Sequence, residues 1–129
     1  MLSRKPLILV VEDHEDSRTM LVAFLQLKGY HVIEAADGRY VTDLARTALP
    51  DLILMDLDLP FVAGWQATAS LKRGRTTRRI PVVAVSGNCN DADLRQKALR
   101  AGCEDCICKP VDFCRLNKTL AGFLFCSAG

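Results

Sequence analysis

The 129 residues carry 17 Lys and Arg against 15 Asp and Glu, and half of them are apolar. That length and composition bound one ordinary globular domain, residues 1–129, with a core of its own. A net charge of +2 excludes a strong field for nucleic acid, and no apolar run approaches the length of a membrane span.

Leu7 to Val11 reads as the first strand and ends on Glu12 and Asp13. This run is too short for a signal-peptide core, so a cytoplasmic location is expected, with no membrane partner. Asp16 or Ser17 opens a helix in which Met20, Leu21, Phe24, Leu25 and Leu27 recur at helical spacing, and Gly29 closes it. His31 to Ala35 is the second strand. Val41, Leu44, Ala45 and Ala48 make one face of a second helix, stopped by Pro50.

The third strand, Leu52 to Asp56, is continuously apolar until its final carboxylate, the pattern of a strand buried on both faces of a parallel sheet. Pro60 breaks the chain, and Gly64 or Trp65 opens a third helix that runs to about Lys72. Lys72 to Arg79 holds five cationic side chains without interleaved aromatics, and reads as a solvated connection rather than a nucleic-acid surface. Pro81 to Val85 is the fourth strand, ending on Ser86. Asp91 caps a fourth helix with Leu94, Ala98 and Ala101 on one face, and Gly102 ends it. Glu104 to Cys108 is a short fifth strand followed by Lys109 and Pro110. Asp112 caps the last helix, with Phe113, Leu116, Leu120 and Phe123 at inward spacing.

Five strands alternating with five helices specify an α/β fold, a doubly wound five-stranded parallel sheet with right-handed crossovers and helices on both faces. Nothing follows the last helix, so no output domain is expected within this chain. The general rule for flavodoxin-like (βα)5 sheets gives the order 2-1-3-4-5, which makes strands one and three neighbours and places ligands outside the carboxyl ends of the strands. Glu12, Asp13 and Asp56 then meet in one crevice, with Ser86 and Lys109 delivered by the next two strands. Three close carboxylates repel, so either one keeps its proton or a cation sits among them. Hard oxygen ligands on an open face suit Mg²⁺. A metal, an ammonium and a hydroxyl around one Asp are what phosphoryl transfer requires, with Asp56 as the nucleophile.

In this combination the chain resembles the response-regulator receiver domains of two-component signalling and phosphorelays. Glu12 and Asp13 resemble the acidic metal pair and Asp56 the phosphoacceptor. Pro60 and Gly64 stand four and eight residues after Asp56, as in the family's loop. Ser86 resembles the hydroxyl residue that contacts the phosphoryl group, and Lys109-Pro110 the Lys-Pro after the last strand. The resemblance implies that the bond before Pro110 is cis and that the Asp58 carbonyl is a metal ligand. It also implies a phosphohistidine donor, either a sensor histidine kinase or a histidine phosphotransfer protein. Phosphorylation would switch the binding of a downstream protein or fused output domain. The expected role is that of a phosphoacceptor rather than an enzyme, with no nucleic acid bound by this chain alone.

Two other functions compete. Asp56-x-Asp58 looks like the motif of a small haloacid-dehalogenase-type phosphatase, though that motif follows a first strand. A receiver-like adaptor would bind partners without being phosphorylated. One departure from the family concerns Cys106, which stands where receivers commonly carry a Tyr or Phe three residues before the Lys. A thiol has no ring to move between pockets, so the response to phosphorylation is expected in the loop from Ser86 to Asp91 and the fourth helix. The six cysteines read as small buried thiols in a reducing compartment, with Cys106, Cys108, Cys114 and Cys126 in or beside predicted cores.

Overall fold

The protein is described here by a computed structural model covering residues 5–125. In chain order the elements are β1 (Leu7–Val11), α1 (Glu15–Leu27), β2 (His31–Ala35), α2 (Val41–Ala48), β3 (Leu52–Asp56), α3 (Gly64–Arg73), β4 (Val82–Ser86), α4 (Ala92–Ala101), β5 (Asp105–Cys108) and α5 (Phe113–Leu124). The strands form one parallel sheet in the order β2-β1-β3-β4-β5. This is the expected flavodoxin-like α/β architecture.

The unbroken apolar strands have a direct structural cause. Leu9, Val11, Ile53, Met55, Val82, Ala84 and Cys106 face one core layer, completed by Val41 and Ala45 of α2, Ala67 and Leu71 of α3, and Ala98 of α4. The alternate residues Ile8, Val10, Leu52, Leu54, Val83, Val85 and Ile107 face the other layer, with Leu21 and Leu25 of α1 and Leu116 and Leu120 of α5. Every residue of β3 and β4 is buried. Each fully buried Leu or Ile contributes about 1.5–3 kcal/mol of transfer free energy.

Helix ends follow local chemistry where side chains can cap. Asp91 and Asp112 each accept two backbone N–H bonds at the starts of α4 and α5. Gly102 ends α4 at φ 118°, a conformation that suits glycine. The helix α1 begins at Glu15, ahead of the Asp16 or Ser17 start the sequence suggests, and its cap position is His14, whose side chain makes no capping bond.

Two faces differ from the sequence reading. Met20 and Leu27 are exposed, 60% and 85%, because α1 turns only Leu21 and Leu25 fully inward. Phe123 is 40% exposed on α5, whose sealed residues are Leu116 and Leu120. The basic segment after α3 is likewise more than a solvated link. Lys72 folds back to bond the carbonyls of Arg78 and Ile80 and the carboxylate of Glu104, and Thr77 is buried, donating to the Leu71 carbonyl at 2.7 Å. Among the described residues, no helix is long and apolar enough to cross a membrane.

Candidate functional site

Sheet register assembles the site. Val11 pairs with Met55, so the next residues, Glu12 and Asp56, emerge side by side at the carboxyl ends of β1 and β3. Asp56 pairs with Val85, which sets Ser86 one residue beyond, and Ser86 pairs with Cys108, which sets Lys109 beyond that. The Lys109 N–H donates to the Ser86 carbonyl at 2.8 Å, extending this register past the strand end. The Lys109–Pro110 bond is cis, as the resemblance implied.

Glu12, Asp13 and Asp56 each offer a carboxylate oxygen, and these three oxygens lie within 4.8 Å of one another. Glu12 and Asp56 are buried, 1% and 3% exposed, whereas Asp13 is open to solvent. The Lys109 ammonium bridges the buried pair, donating to Glu12 Oε1 at 2.7 Å and to Asp56 Oδ2 at 3.0 Å. The other oxygen of Asp56 accepts from the Asp58 N–H at 2.9 Å. Glu12 Oε2 accepts from the His14 N–H at 3.2 Å, and its backbone carbonyl accepts from Arg18 at 2.9 Å.

These contacts set the electrostatics. Burial, then the neighbouring Asp56, push the Glu12 carboxyl above its ordinary value, against the pull of Lys109 and the His14 N–H. Burial works to lower the Lys109 pKa, but hydrogen bonds to Glu12 and Asp56 outweigh it and the net direction is upward. Three carboxylates and one ammonium leave two negative charges when all are ionised. A divalent cation with oxygen preference fits that set: hard donors only, two of them fixed by buried strand ends and one on the solvent side.

The sequence-based residues do not all converge equally. The resemblance assigns Asp58 a role through its backbone carbonyl; its side chain is exposed and stands apart from the three clustered oxygens, 3.5 Å from the Asn88 side-chain amide. Ser86 is fully buried, and its Oγ accepts from the Asn88 N–H at 2.9 Å, so its hydroxyl proton is free to donate elsewhere. Cys106 is buried in the layer under α4.

Three contributions to the site were missed: those of Arg18 and of a disulfide, and the close seat of Gly64, a residue read only as a loop and helix-start position. Arg18 secures the end of β1 and also pairs with Glu34 at 3.1 Å; its helical position toward β2 carried only a weak sequence signal. Gly64 lets α3 start against the end of β3: a Cβ there would collide with the Asp56 carbonyl oxygen and stand 2.8 Å from the Leu57 Cα. The third contributor corrects the reading of the cysteines as free thiols. Cys89, in the loop after β4, and Cys108, at the end of β5, form a disulfide; Cys103 and Cys106 are free and buried as expected, whereas Cys114 is free but exposed, on the outer side of α5. The pair is 19 residues apart in sequence and meets only because β4 and β5 are neighbours. Cys126 lies outside the described residues.

The topology disfavours the phosphatase alternative, since Asp56 closes the central third strand and not the first. Comparison with known proteins agrees with the geometry. A family model described as the response regulator receiver domain matches residues 8–121. The polar-differentiation response regulator DivK of Brucella ovis is 36% identical over 117 residues, spanning 91% of this chain and 94% of that protein. Among solved structures, the receiver domain of the sensor histidine kinase PA1611 from Pseudomonas aeruginosa, with a magnesium ion coordinated in its active site cleft, superposes with a TM-score of 0.87 at 33% identity, covering 93% of this chain and 98% of that one. The chemotaxis protein CheY4 of Vibrio cholerae also gives a TM-score of 0.87, at 26% identity, over 94% of this chain and all of that one.

Proposed function

The chain belongs to the response-regulator receiver domain family, and from that premise we propose that it accepts one phosphoryl group from a phosphohistidine protein onto the carboxylate of Asp56. The observation that carries this reading is the position of Asp56, buried at the end of the central strand, bonded to the Lys109 ammonium and within reach of the Glu12 and Asp13 oxygens. In the transfer, a carboxylate oxygen of Asp56 forms the new O–P bond as the P–N bond to the donor imidazole breaks, giving an acyl phosphate.

Each neighbour has a task in that step. Lys109 supplies positive charge where the transferring oxygens become more negative, and its bond to Glu12 keeps it aimed at Asp56. The Asp58 N–H orients the nucleophile by holding Oδ1. Ser86 offers a hydroxyl proton to the phosphoryl oxygens from the adjacent strand end. Glu12, Asp13 and Asp56 would hold Mg²⁺, joined by the Asp58 backbone carbonyl on the family resemblance; when bound, the ion neutralises phosphoryl charge. The magnesium ion in the cleft of the related kinase receiver domain supports this choice of metal.

On this reading the protein is a phosphoacceptor modified once per cycle rather than an enzyme turning over a free substrate. Its partners are a histidine kinase or phosphotransfer protein and a downstream effector, met in the cytoplasm. Incubation with acetyl phosphate and Mg²⁺ should add a single phosphoryl mass to the intact protein, and omission of the metal or Asp56→Asn should prevent it. Efficient labelling of the Asn variant would refute the assignment, and labelling of neither form would favour the adaptor reading.

A further inference from the structure

The Cys89–Cys108 disulfide is not accounted for by phosphoryl transfer, yet it lies at the edge of the site. Cys89 is three residues beyond Ser86, in the loop leading to α4. Cys108 is the register partner of Ser86 and directly precedes Lys109. Their Cα atoms are 5.4 Å apart, a normal span for the bond. The bridge therefore fastens the loop after β4 to the strand that delivers the ammonium.

That loop contacts both halves of the site. The Asn88 N–H holds the Ser86 hydroxyl oxygen at 2.9 Å, and the Asn88 side-chain amide lies 3.5 Å from the Asp58 carboxylate. A phosphoryl group on Asp56 brings strong new acceptors to the end of β3. For the Ser86 hydroxyl to follow them, the segment bonded to it must move or release it. A covalent tie one residue further on opposes that movement.

The two buried free cysteines are poorly suited to compete for this chemistry. Cys103 and Cys106 are buried, and desolvation pushes both thiols up, Cys103 to about 11. Cys114 is exposed on α5 and has no bonded cysteine partner. Cys89 and Cys108 are both half-buried, unlike the sealed Cys103 and Cys106. Disulfides in reducing compartments are mostly transient and regulatory.

We infer that Cys89 and Cys108 form a reversible redox modification site whose disulfide latches the Ser86–Asp91 loop to β5 and holds the receiver in its unphosphorylated arrangement. The inference rests on the proposed phosphorylation of Asp56. The oxidant is a low-molecular-weight disulfide. One protein thiolate attacks it, forming a mixed disulfide and releasing one small thiol. The second cysteine then displaces the other small thiol. Both electrons pass to the small disulfide, which leaves as two thiols, and the protein gains one S–S bond. Linkage requires the effect to be reciprocal: whatever factor the disulfide costs in phosphoryl-state affinity, the phosphoryl state costs in disulfide stability.

The test uses the whole chain in glutathione buffers of graded poise, with beryllofluoride plus Mg²⁺ as the phosphoryl mimic. Thiol alkylation and peptide mass should show Cys89 and Cys108 converting together between thiol and intramolecular disulfide, while the exposed Cys114 goes no further than a mixed disulfide with glutathione. Reduction should speed amide exchange across Asn88–Asp91 and tighten mimic binding about tenfold, a typical coupling between sites. Saturating mimic should in turn move the redox midpoint by about 30 mV toward the reduced form. Cys89→Ser and Cys108→Ser should each behave as the reduced protein at every poise. Failure of the pair to oxidise, or equal exchange rates and equal mimic affinity in the two forms, would overturn the latch. If the mimic binds neither form while the exchange difference persists, the latch stands and the phosphorylation reading fails.

Discussion

At Lys109 a partly exposed ammonium pairs with two carboxylates nearly sealed from water, Glu12 and Asp56, whose side chains are 2% and 3% exposed. The ammonium and a divalent ion then compete for the same oxygens, which gives Lys109→Ala opposing effects. Removing it should leave two buried carboxylates unpaired and lower stability by about 3 kcal/mol. It should also strengthen Mg²⁺ binding roughly tenfold, because a like charge beside the site is gone, yet slow phosphorylation. Calorimetric Mg²⁺ titration of the variant checks this, and weaker binding would contradict the competition. Cys103 gives a second residue-level expectation. Burial raises its thiol from the ordinary 9.0 to about 11. A pKa raised by folding means that stability is complete below pH 9 and is lost as pH rises through about 11, a loss of roughly 3 kcal/mol. Lys109, also raised, loses its contribution in the same direction but higher, above its ordinary 10.5. Urea unfolding followed up to about pH 11 should show this decline, and Cys103→Ala should make it shallower without abolishing it, because burial raises Cys106 and Tyr30 as well; an unchanged slope would place the effect elsewhere.

Among the elements, the loop from β3 to α3 is the most tightly constrained. Gly64 seats the first turn of α3 against Asp56 and Leu57, and its N–H donates to the Leu57 carbonyl at 3.2 Å. Gly64→Ala should therefore shift the end of β3, cost about 1–3 kcal/mol and reduce labelling of Asp56. A variant of unchanged denaturant midpoint that is labelled at the parent rate would contradict this. The elements differ in how far the sequence foretells them. Strands β3 and β4 read plainly because both faces are buried, so no polar residue interrupts them. The inward face of α1 reads poorly, since Met20 and Leu27 carry the helical period without being covered. Phe61 adopts φ 69° on the surface with the Arg39 guanidinium 3.8 Å from its ring centre, a placement no local pattern announces. The Cys89–Cys108 bond was illegible for another reason: spacing alone does not pair cysteines on different elements, and only the β4–β5 register does so.

For the molecule as a whole, the strand order converts five separate sequence positions into one site. Glu12, Asp56, Ser86 and Lys109 were legible because each directly follows or ends an apolar strand, and the parallel sheet puts all such ends on one edge. What strand ends do not disclose is how the residues pair, and the Lys109 bridge and the turn of Asp58 toward Asn88 emerge only in three dimensions. Metal binding to this preformed edge should stabilise the whole fold by linkage, about 2.7 kcal/mol at a hundredfold excess over Kd. Thermal unfolding with and without Mg²⁺ should show that gain in the parent and a much smaller one in Asp13→Ala; equal gains would remove Asp13 from the ligand set. The claim on which all of this depends is that phosphorylation occurs at Asp56. Borohydride reduces an aspartyl phosphate to homoserine at the modified position, so peptide mass after acetyl phosphate, Mg²⁺ and borohydride reads the site directly. The expected product is a single homoserine at position 56; conversion at Asp13 or Asp58 instead, or no conversion in a protein that has gained the phosphoryl mass, would contradict it.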